Sequence, residues 1–261
     1  MNKLVLLLLG ALLSAAANAA PATGALTIAA ASDLSLCLDE LDGKFRQTHL
    51  DVDLKASTGS SGNFLAQIRN GAPFDVFLSA DMSYPKELVR AGLADESSLT
   101  LYATGYIVLW TTNPAVDLSK GLAALSGDSI KKIAIANPDV APYGRAAKAA
   151  LQSAGVWDAV KSKLVLGENI AQTAQFVQSG NVDAGIVALS FVKAPTIAGS
   201  GHYFPIPENL YPTLEQGAVI TAKGKDNPAA KQYIEFLRSA EARAVFDKYG
   251  FLLPVAAPAT H

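Results

Sequence analysis

The chain has 261 residues, of which 50% are hydrophobic, 17% charged and 8% aromatic. This composition is typical of a globular protein and excludes a disordered, collagen-like or coiled-coil chain. Lys and Arg number 21 against 23 Asp and Glu, which leaves a formal net charge of −2. Nucleic-acid-binding domains usually have a basic face or a pI above about 9, and the pI here is about 5.9. We therefore expect no nucleic-acid partner, and any bound anion must be held by something other than surplus Lys and Arg.

The first 19 residues have the pattern of a secretory signal peptide. Lys3 supplies a positive charge, Leu4 to Leu13 form an apolar stretch, and Ala17-Asn18-Ala19 fits the small-x-small rule for cleavage. An apolar stretch of this length is too short to cross a bilayer, which needs about 20 residues. We therefore expect cleavage after Ala19 and export to the periplasm.

The chain contains a single cysteine, Cys37, so no intramolecular disulfide is available. Cys37 lies in an apolar helical pattern with Leu34, Leu38 and Leu41. We expect it to be a buried small hydrophobe.

From residue 26 onwards, apolar runs typical of strands alternate with segments of helical periodicity. The predicted strands are 26–31, 52–56, 75–80, 106–110, 133–136, 164–166, 184–189 and 217–221. The predicted helices are 34–45, 64–70, 85–92, 144–154, 170–179 and 228–248. This alternation predicts an α/β protein with mostly parallel sheets and helices on both faces of each sheet.

Two features of the chain predict two lobes. The run from Tyr102 to Trp110 is long for one strand, as expected if it crosses from one unit to another, and Leu210 to Ile220 would bring the chain back. We therefore divide the chain into a signal peptide, a discontinuous first lobe, a second lobe and a flexible tail. Their predicted limits are 1–19, 24–103 plus 218–253, 104–217 and 254–261.

Four predicted strand-to-helix junctions are rich in short polar residues and glycine: 30–33, 58–63, 141–145 and 167–173. The first N–H groups of a helix have no helical partner, and the helix dipole adds partial positive charge there. Four such ends at the carboxyl edges of two sheets would form an uncharged anion site. Ordinary N-capping explains each junction alone. It does not explain Gly59-Ser60-Ser61-Gly62, where two glycines would let the backbone approach a ligand closely.

Several motifs, in chain order, are similar to those of a known family. They are AAAS at 29–32, GSSG at 59–62, GAPFDVFLSAD at 71–81, ANP at 136–138, APYG at 141–144, GENIAQTAQ at 167–175 and FDKYGF at 246–251. In this order they resemble the periplasmic molybdate-binding proteins of ABC importers. The resemblance runs from about Leu26 to Leu253, which is nearly all of the chain after the signal peptide.

The resemblance implies a two-lobed type II "Venus flytrap" that holds one oxyanion between its lobes. Carried over by motif, Ser32 and Ser61 would each contribute a hydroxyl and a backbone N–H. Tyr143 would contribute from the Pro-Tyr-Gly turn and Ile170 through its backbone N–H. These four residues would contact the oxygens of molybdate, and none would ligate the metal directly.

The resemblance also implies the ligands and partners. The expected ligand is molybdate or tungstate, and no cofactor or enzymatic activity is expected. The expected partner is the membrane permease subunit of an ABC importer, and the protein is expected to be a monomer.

Two positions depart from the family pattern. Some members place a ligating Tyr directly after a Gly-Ile-Val strand, but here Gly185-Ile186-Val187 is followed by Ala188. Tyr143 is a candidate replacement for that donor. The second departure is Asp33, a carboxylate directly after the first ligand serine. An unpaired carboxylate near a dianion is costly, so Asp33 must point away, accept from an N–H, or mark a ligand that carries a proton.

Two alternatives stay open at this stage. A flytrap of the same shape could bind sulfate, phosphate or an organic carboxylate, for which Arg145 or Arg69 would be the bidentate partner. An exported serine hydrolase could use Ser32 or Ser61, yet neither lies in a G-x-S-x-G elbow. The three histidines, His49, His202 and His261, have no obvious carboxylate partner in the sequence.

Overall fold

The computed structural model describes residues 24–254. The predicted signal peptide with its cleavage after Ala19, and the predicted tail beyond residue 254, lie outside the described residues. The described strands are β1 Leu26–Ala31, β2 Leu54–Gly59, β3 Val76–Ser79, β4 Thr100–Gly105, β5 Ile107–Thr111, β6 Ile133–Ala136, β7 Leu164–Gly167, β8 Ala184–Ala188, β9 His202–Pro205 and β10 Leu214–Ile220. The described α-helices are α1 Leu38–Thr48, α2 Ser61–Arg69, α3 Ser83–Arg90, α4 Pro142–Ser153, α5 Trp157–Val160, α6 Ile170–Gln178, α7 Leu189–Lys193, α8 Pro228–Phe236 and α9 Ala240–Lys248.

The strands form two five-stranded sheets, ordered β2-β1-β3-β10-β4 and β7-β6-β8-β5-β9. In the first sheet only β10 runs against its neighbours, and in the second only β5 does. The remaining four strands of each sheet therefore point the same way. The predicted fold class, two mostly parallel α/β sheets, is confirmed.

The first sheet has helices on both faces, as its burial pattern shows. Alternate residues of a strand point to opposite faces. Leu26, Ile28 and Ala30 pack in a core with α1, α8 and α9, whereas Ala29 packs in a separate core with α2 and α3. The second sheet has its own core, which includes Ile133.

The chain crosses between the sheets at the two predicted places. The run 102–110 is split at Tyr106 between β4 of the first sheet and β5 of the second. The chain returns through β10, whose Leu214 pairs with Gly105. This pairing puts 104–105 and 214–217 in the first sheet, although the predicted limits assigned them to the second lobe. The predicted limits cut through β4 and β10, whereas a strand stays in its sheet as far as its hydrogen-bonded pairs extend. The lobe limits themselves stay a prediction.

The structure differs from the prediction at one predicted helix and contains elements that were not predicted, among them β9 and α7. The helix predicted over 228–248 is two helices, because Ser239 caps a new helix by accepting a hydrogen bond from the backbone N–H of Ala242. Strand β9 was not predicted, since its residues are mostly exposed and do not alternate. Helix α7 was not predicted either, because five residues are too few to show a helical period.

Within residues 24–254, no helix is both long and apolar enough to span a membrane. Cys37 is buried and has no disulfide partner, as predicted.

Candidate functional site

A small cavity lies where the carboxyl ends of the parallel strands of both sheets meet. Its volume is small, about 10 Å³. Its wall consists of Ala31, Ser32, Asp33, Gly59, Ser60, Ser61, Ala80, Ala141, Pro142, Tyr143 and Ile170. All four residues predicted from the family motifs are therefore brought together, and each is at most 4% exposed. That the anion contacts these residues stays a prediction.

Ser61 begins α2, directly after the Ser60 N-cap. Its Oγ accepts a hydrogen bond of 3.0 Å from the backbone N–H of Ala80. Because a hydroxyl carries one proton and two lone pairs, the Ser61 proton stays available for a ligand in the cavity. The N–H of Ser61 is also unused by the hydrogen bonds found among the described residues. The Ser60 hydroxyl has no free proton, because its Oγ accepts from the N–H of Asn63 and donates to the carbonyl of Val140.

Ser32 directly follows β1 and opens a single 3-10 turn, Ser32–Leu34. Its carbonyl accepts from the hydroxyl and the N–H of Ser35, which holds the turn in place. Within the described part of the chain the Ser32 hydroxyl has no hydrogen-bond partner. It is therefore a second free hydroxyl in the cavity wall.

Tyr143 lies at the start of α4, where Pro142 is the first helical residue. Its hydroxyl donates to Asp33 Oδ2 at 3.0 Å and accepts from Gln216 Nε2 at 3.3 Å. The hydroxyl proton is thus already used, so Tyr143 does not supply a free hydroxyl in place of the donor missing at Ala188. The helix packs tightly on the end of β6, because a Cβ on Gly144 would lie 2.2 Å from the carbonyl oxygen of Ala136.

Ile170 is the first residue of α6, and Asn169 is the N-cap. The Asn169 side chain accepts from the N–H of Gln172 at 3.0 Å. Among the described residues, the N–H of Ile170 makes no hydrogen bond. Its apolar side chain is 3% exposed and forms part of the cavity wall.

Asp33 is the unusual residue of the wall. It is 2% exposed, and while Oδ2 accepts from Tyr143, Oδ1 is buried and has no hydrogen-bond partner in the described structure. Burial raises the pKa of Asp33 to about 7, against the opposing effects of the Tyr143 hydroxyl and of the nearby Gln216 amide. The sequence left the orientation of Asp33 open. The structure shows that this residue lines the cavity and that only one of its two carboxyl oxygens accepts a side-chain hydrogen bond.

Hydrogen bonds and an ion pair join the two halves of the molecule around the cavity. The Val140 carbonyl accepts from the N–H of Gly62 at 2.9 Å, and Ser190 Oγ donates to the carbonyl of Asp33 at 2.7 Å. Arg145 pairs with Asp81 and donates to the hydroxyl of Tyr84. Sequence reasoning missed Val140, Ser190 and Gln216, since a carbonyl or a lone polar side chain carries no motif.

The wall offers hydroxyl and N–H donors without a cationic side chain: among its described residues there is no Lys, Arg or His. Such a set can hold a small anion with helix ends and dipoles. Arg145 and Arg69 are both outside the wall and paired with carboxylates, so neither offers a free guanidinium to a carboxylate ligand. Among the described residues, the Ser61 hydroxyl hydrogen-bonds only the N–H of Ala80 and no basic side chain. Within residues 24–254, no group of three His, Cys, Asp or Glu residues could hold a metal ion.

Comparison with known proteins gives consistent matches over most of the chain. Residues 26–252 match the family described as "Bacterial extracellular solute-binding protein". The sequence is 39% identical over 253 residues to the molybdate-binding protein ModA of Azotobacter vinelandii, which covers 96% of this chain and 97% of that relative. It is 42% identical over 194 residues to ModA of Rhodobacter capsulatus, covering 74% and 75% respectively.

A solved structure matches as well. The periplasmic molybdate-binding protein of Azotobacter vinelandii superposes with a TM-score of 0.83 at 33% identity, covering 88% of this chain and all of that one. The two-lobed fold expected from the motifs is therefore shared with a solved relative.

Proposed function

Because the chain belongs to the family of bacterial extracellular solute-binding proteins, we propose that it captures molybdate in the cavity between its two sheets and delivers it to the membrane permease of an ABC importer. The observation that carries the proposal is the cavity itself. It is small, is lined by residues from both halves of the chain, and offers uncharged donors. Relatives named as molybdate-binding proteins support the choice of ion.

In this proposal the anion's oxygens are bound by Ser32, Ser61, Tyr143 and Ile170. Ser32 and Ser61 donate from their free hydroxyls, and the N–H groups of Ser61, Tyr143 and Ile170 add donors at three helix ends. The Tyr143 hydroxyl serves indirectly by holding Asp33. No residue ligates the metal, which is cargo and contacts the protein only through its oxygens.

Tungstate has nearly the same size, charge and shape as molybdate, so we propose that it binds to the same donors. The protein is proposed to act as a monomer in the periplasm, with no catalytic step. Binding would close the two lobes on the anion, which gives the permease a loaded state that differs from the open one. The proposed lobes are the predicted ones, 24–103 plus 218–253 and 104–217, except that residues 104–105 and 214–217 go to the first lobe because their strands pair there.

Calorimetry on the mature protein tests the proposal with molybdate, tungstate, sulfate and phosphate as separate titrants. We expect molybdate and tungstate to bind at micromolar or lower concentrations and sulfate more weakly. Binding of phosphate or of an organic carboxylate, with no heat from molybdate, would contradict the proposal. Analytical ultracentrifugation with and without molybdate tests the monomeric state.

A further inference from the structure

An ionised Asp33 would add negative charge to a site that is proposed to hold a dianion, and the uncharged donors of the wall do not balance that charge. Molybdate carries two negative charges, and an ionised Asp33 would add a third in a buried wall without Lys, Arg or His among its described residues. The Oδ1 atom is buried and has no hydrogen-bond partner in the described structure. An unpaired buried carboxylate oxygen beside a dianion would be repelled by it, and each effect favours the neutral acid.

The groups around Asp33 bring no compensating charge. Tyr143 from α4 and Gln216 from β10 lie on the Oδ2 side, and Ser190 from α7 bonds the backbone carbonyl. The other titratable neighbours are Tyr102 from β4 and Cys37. Burial raises the pKa values of Tyr102, Tyr143 and Cys37 well above their usual range, so all three are neutral at physiological pH.

We propose that Asp33 binds molybdate as the neutral acid, with the proton on Oδ1 donated to an oxygen of the dianion. This inference rests on the proposed function. Oδ2 keeps accepting from Tyr143, so both carboxyl oxygens are then satisfied. The only bond formed is the O–H bond of the acid: one proton from the buffer is bound together with the anion and is released with it. Asp33 thus adds one donor to the site.

The proposal predicts that binding takes up a proton. With the cavity empty, the pKa of Asp33 is about 7, and a neighbouring dianion raises it further. At pH 8 the free carboxyl is mostly ionised, so binding one molybdate takes up close to one proton from the buffer. At pH 6 the carboxyl already holds its proton and the uptake falls towards zero.

The coupling of proton binding to anion binding also sets how the affinity for molybdate depends on pH. Above pH 7, each unit of pH should weaken molybdate binding about tenfold, because one proton must be bound with each anion. Below pH 7 the affinity should be nearly independent of pH. Hydrogen phosphate brings its own proton, so it would bind at pH 8 without taking one from the buffer.

The test is calorimetry with molybdate at pH 6.5 and pH 8 in two buffers of different ionisation enthalpy, which counts protons directly. The unaltered protein should take up close to one proton at pH 8. Asp33→Asn keeps an acceptor for Tyr143 and an N–H donor for the anion, so it should bind with no uptake and with a pH-independent affinity. At pH 8 this variant should bind about tenfold more tightly than the parent.

Asp42→Asn is the matched control. Asp42 is another buried carboxyl with a raised pKa, but it accepts from Tyr233 and lies outside the cavity wall. This variant should keep the proton uptake and pH profile of the parent. Tight molybdate binding by the parent without proton uptake at pH 8 would overturn the role of Asp33 and leave the proposed function standing. No molybdate binding by the parent or by Asp33→Asn would instead overturn the proposed function.

Discussion

At the scale of single residues, some side chains of the cavity wall have a free hydrogen-bond donor for a ligand, whereas others use their donors to hold the wall together. Ser60 and Ser61 are neighbours of the same chemistry, yet only Ser61 has a proton to spare. The Ser60 hydroxyl donates to Val140, whereas the Ser61 oxygen accepts from Ala80 and its proton stays free. The hydrogen-bond partners of each serine, and not its residue type, decide its role.

Ser61→Ala should weaken molybdate binding by about 1.5–3 kcal/mol, the range for a hydrogen bond to a charged group. This corresponds to roughly a 10- to 150-fold rise in the dissociation constant, measured by calorimetry. Ser179→Ala is the control, because that exposed hydroxyl only donates to the carbonyl of Phe176 at a helix end. An unchanged dissociation constant in Ser61→Ala would show that Ser61 only helps to start the helix.

At the scale of elements, the start of α2 contacts the segment before α4. The N–H of Gly62 donates to the carbonyl of Val140, and a Cβ at position 62 would lie 2.6 Å from that oxygen. A glycine is required here because the backbones of two elements touch. The same GSSG motif thus provides both the free donors of Ser61 and the surface on which the second half of the molecule closes.

Gly62→Ala should weaken molybdate binding at least tenfold, because the added methyl group blocks the contact with Val140 that closes the cavity. The free energy of unfolding should not fall, since alanine favours a helix over glycine by about 1 kcal/mol. Calorimetry and urea denaturation measure the two effects.

Gly43→Ala provides the comparison for Gly62→Ala. Gly43 lies inside α1, and a Cβ there would meet no atom within 4 Å. Its affinity for molybdate should equal that of the parent. Equal affinities for both glycine variants would contradict a closing role for the Gly62 contact.

At the scale of the whole molecule, two kinds of polar interaction act on different properties. Hydrogen bonds and one ion pair hold the two halves together around the cavity, and the ion pair of Arg145 with Asp81 is partly exposed. Buried carboxyls such as Asp42 instead make the stability of the entire fold depend on pH. The first kind should affect binding, and the second should affect unfolding.

Arg145→Ala should raise the dissociation constant of molybdate no more than about fivefold, since a partly exposed ion pair contributes about 0–1 kcal/mol. The effect should shrink as salt is added, because salt screens the pair. Arg90→Ala, at an exposed position, should change nothing. A loss of a hundredfold or more in Arg145→Ala would mean that the guanidinium contacts the ligand after all.

Asp42 makes the fold less stable at high pH. Burial raises its pKa to about 6 while Tyr233 donates to it at 2.8 Å. The folded carboxyl therefore keeps a proton that the unfolded one, with a pKa near 3.9, has already lost. The free energy of unfolding should fall as the pH rises from about 4 to about 6 on account of this group, and then stay level.

Asp42→Asn should remove this loss, which amounts to about 3 kcal/mol. Urea denaturation at pH 8 should find the variant more stable than the parent, with a smaller difference at pH 5. Asp128→Asn, at an exposed position, should match the parent at both values. An Asp42→Asn variant no more stable than Asp128→Asn at pH 8 would contradict the pH dependence assigned to Asp42.

Most of the fold could be predicted from local patterns. Strand β6 was predicted with its observed limits, because the short apolar run IAIA lies between polar segments. The chain crossing near Tyr106 was predicted from the length of one apolar run. The predicted helix 228–248 was wrong because its two halves have the same periodicity, and only the cap at Ser239 separates them.

By itself the sequence determined the α/β class, the two crossings and three of the four helix starts predicted at the cavity, because apolar periodicity and capping residues act over a few neighbours. The fourth, at Ser32, is a 3-10 turn, and α1 begins only at Leu38. The near-neutral charge already implied that any bound anion would be held by something other than surplus Lys and Arg. Only the tertiary structure decided which donors are free, since Tyr143, Ser60 and Ser61 bond partners 19 to 110 residues away. The same long-range packing buries Asp33 with one oxygen unpaired, and no local pattern could have shown it.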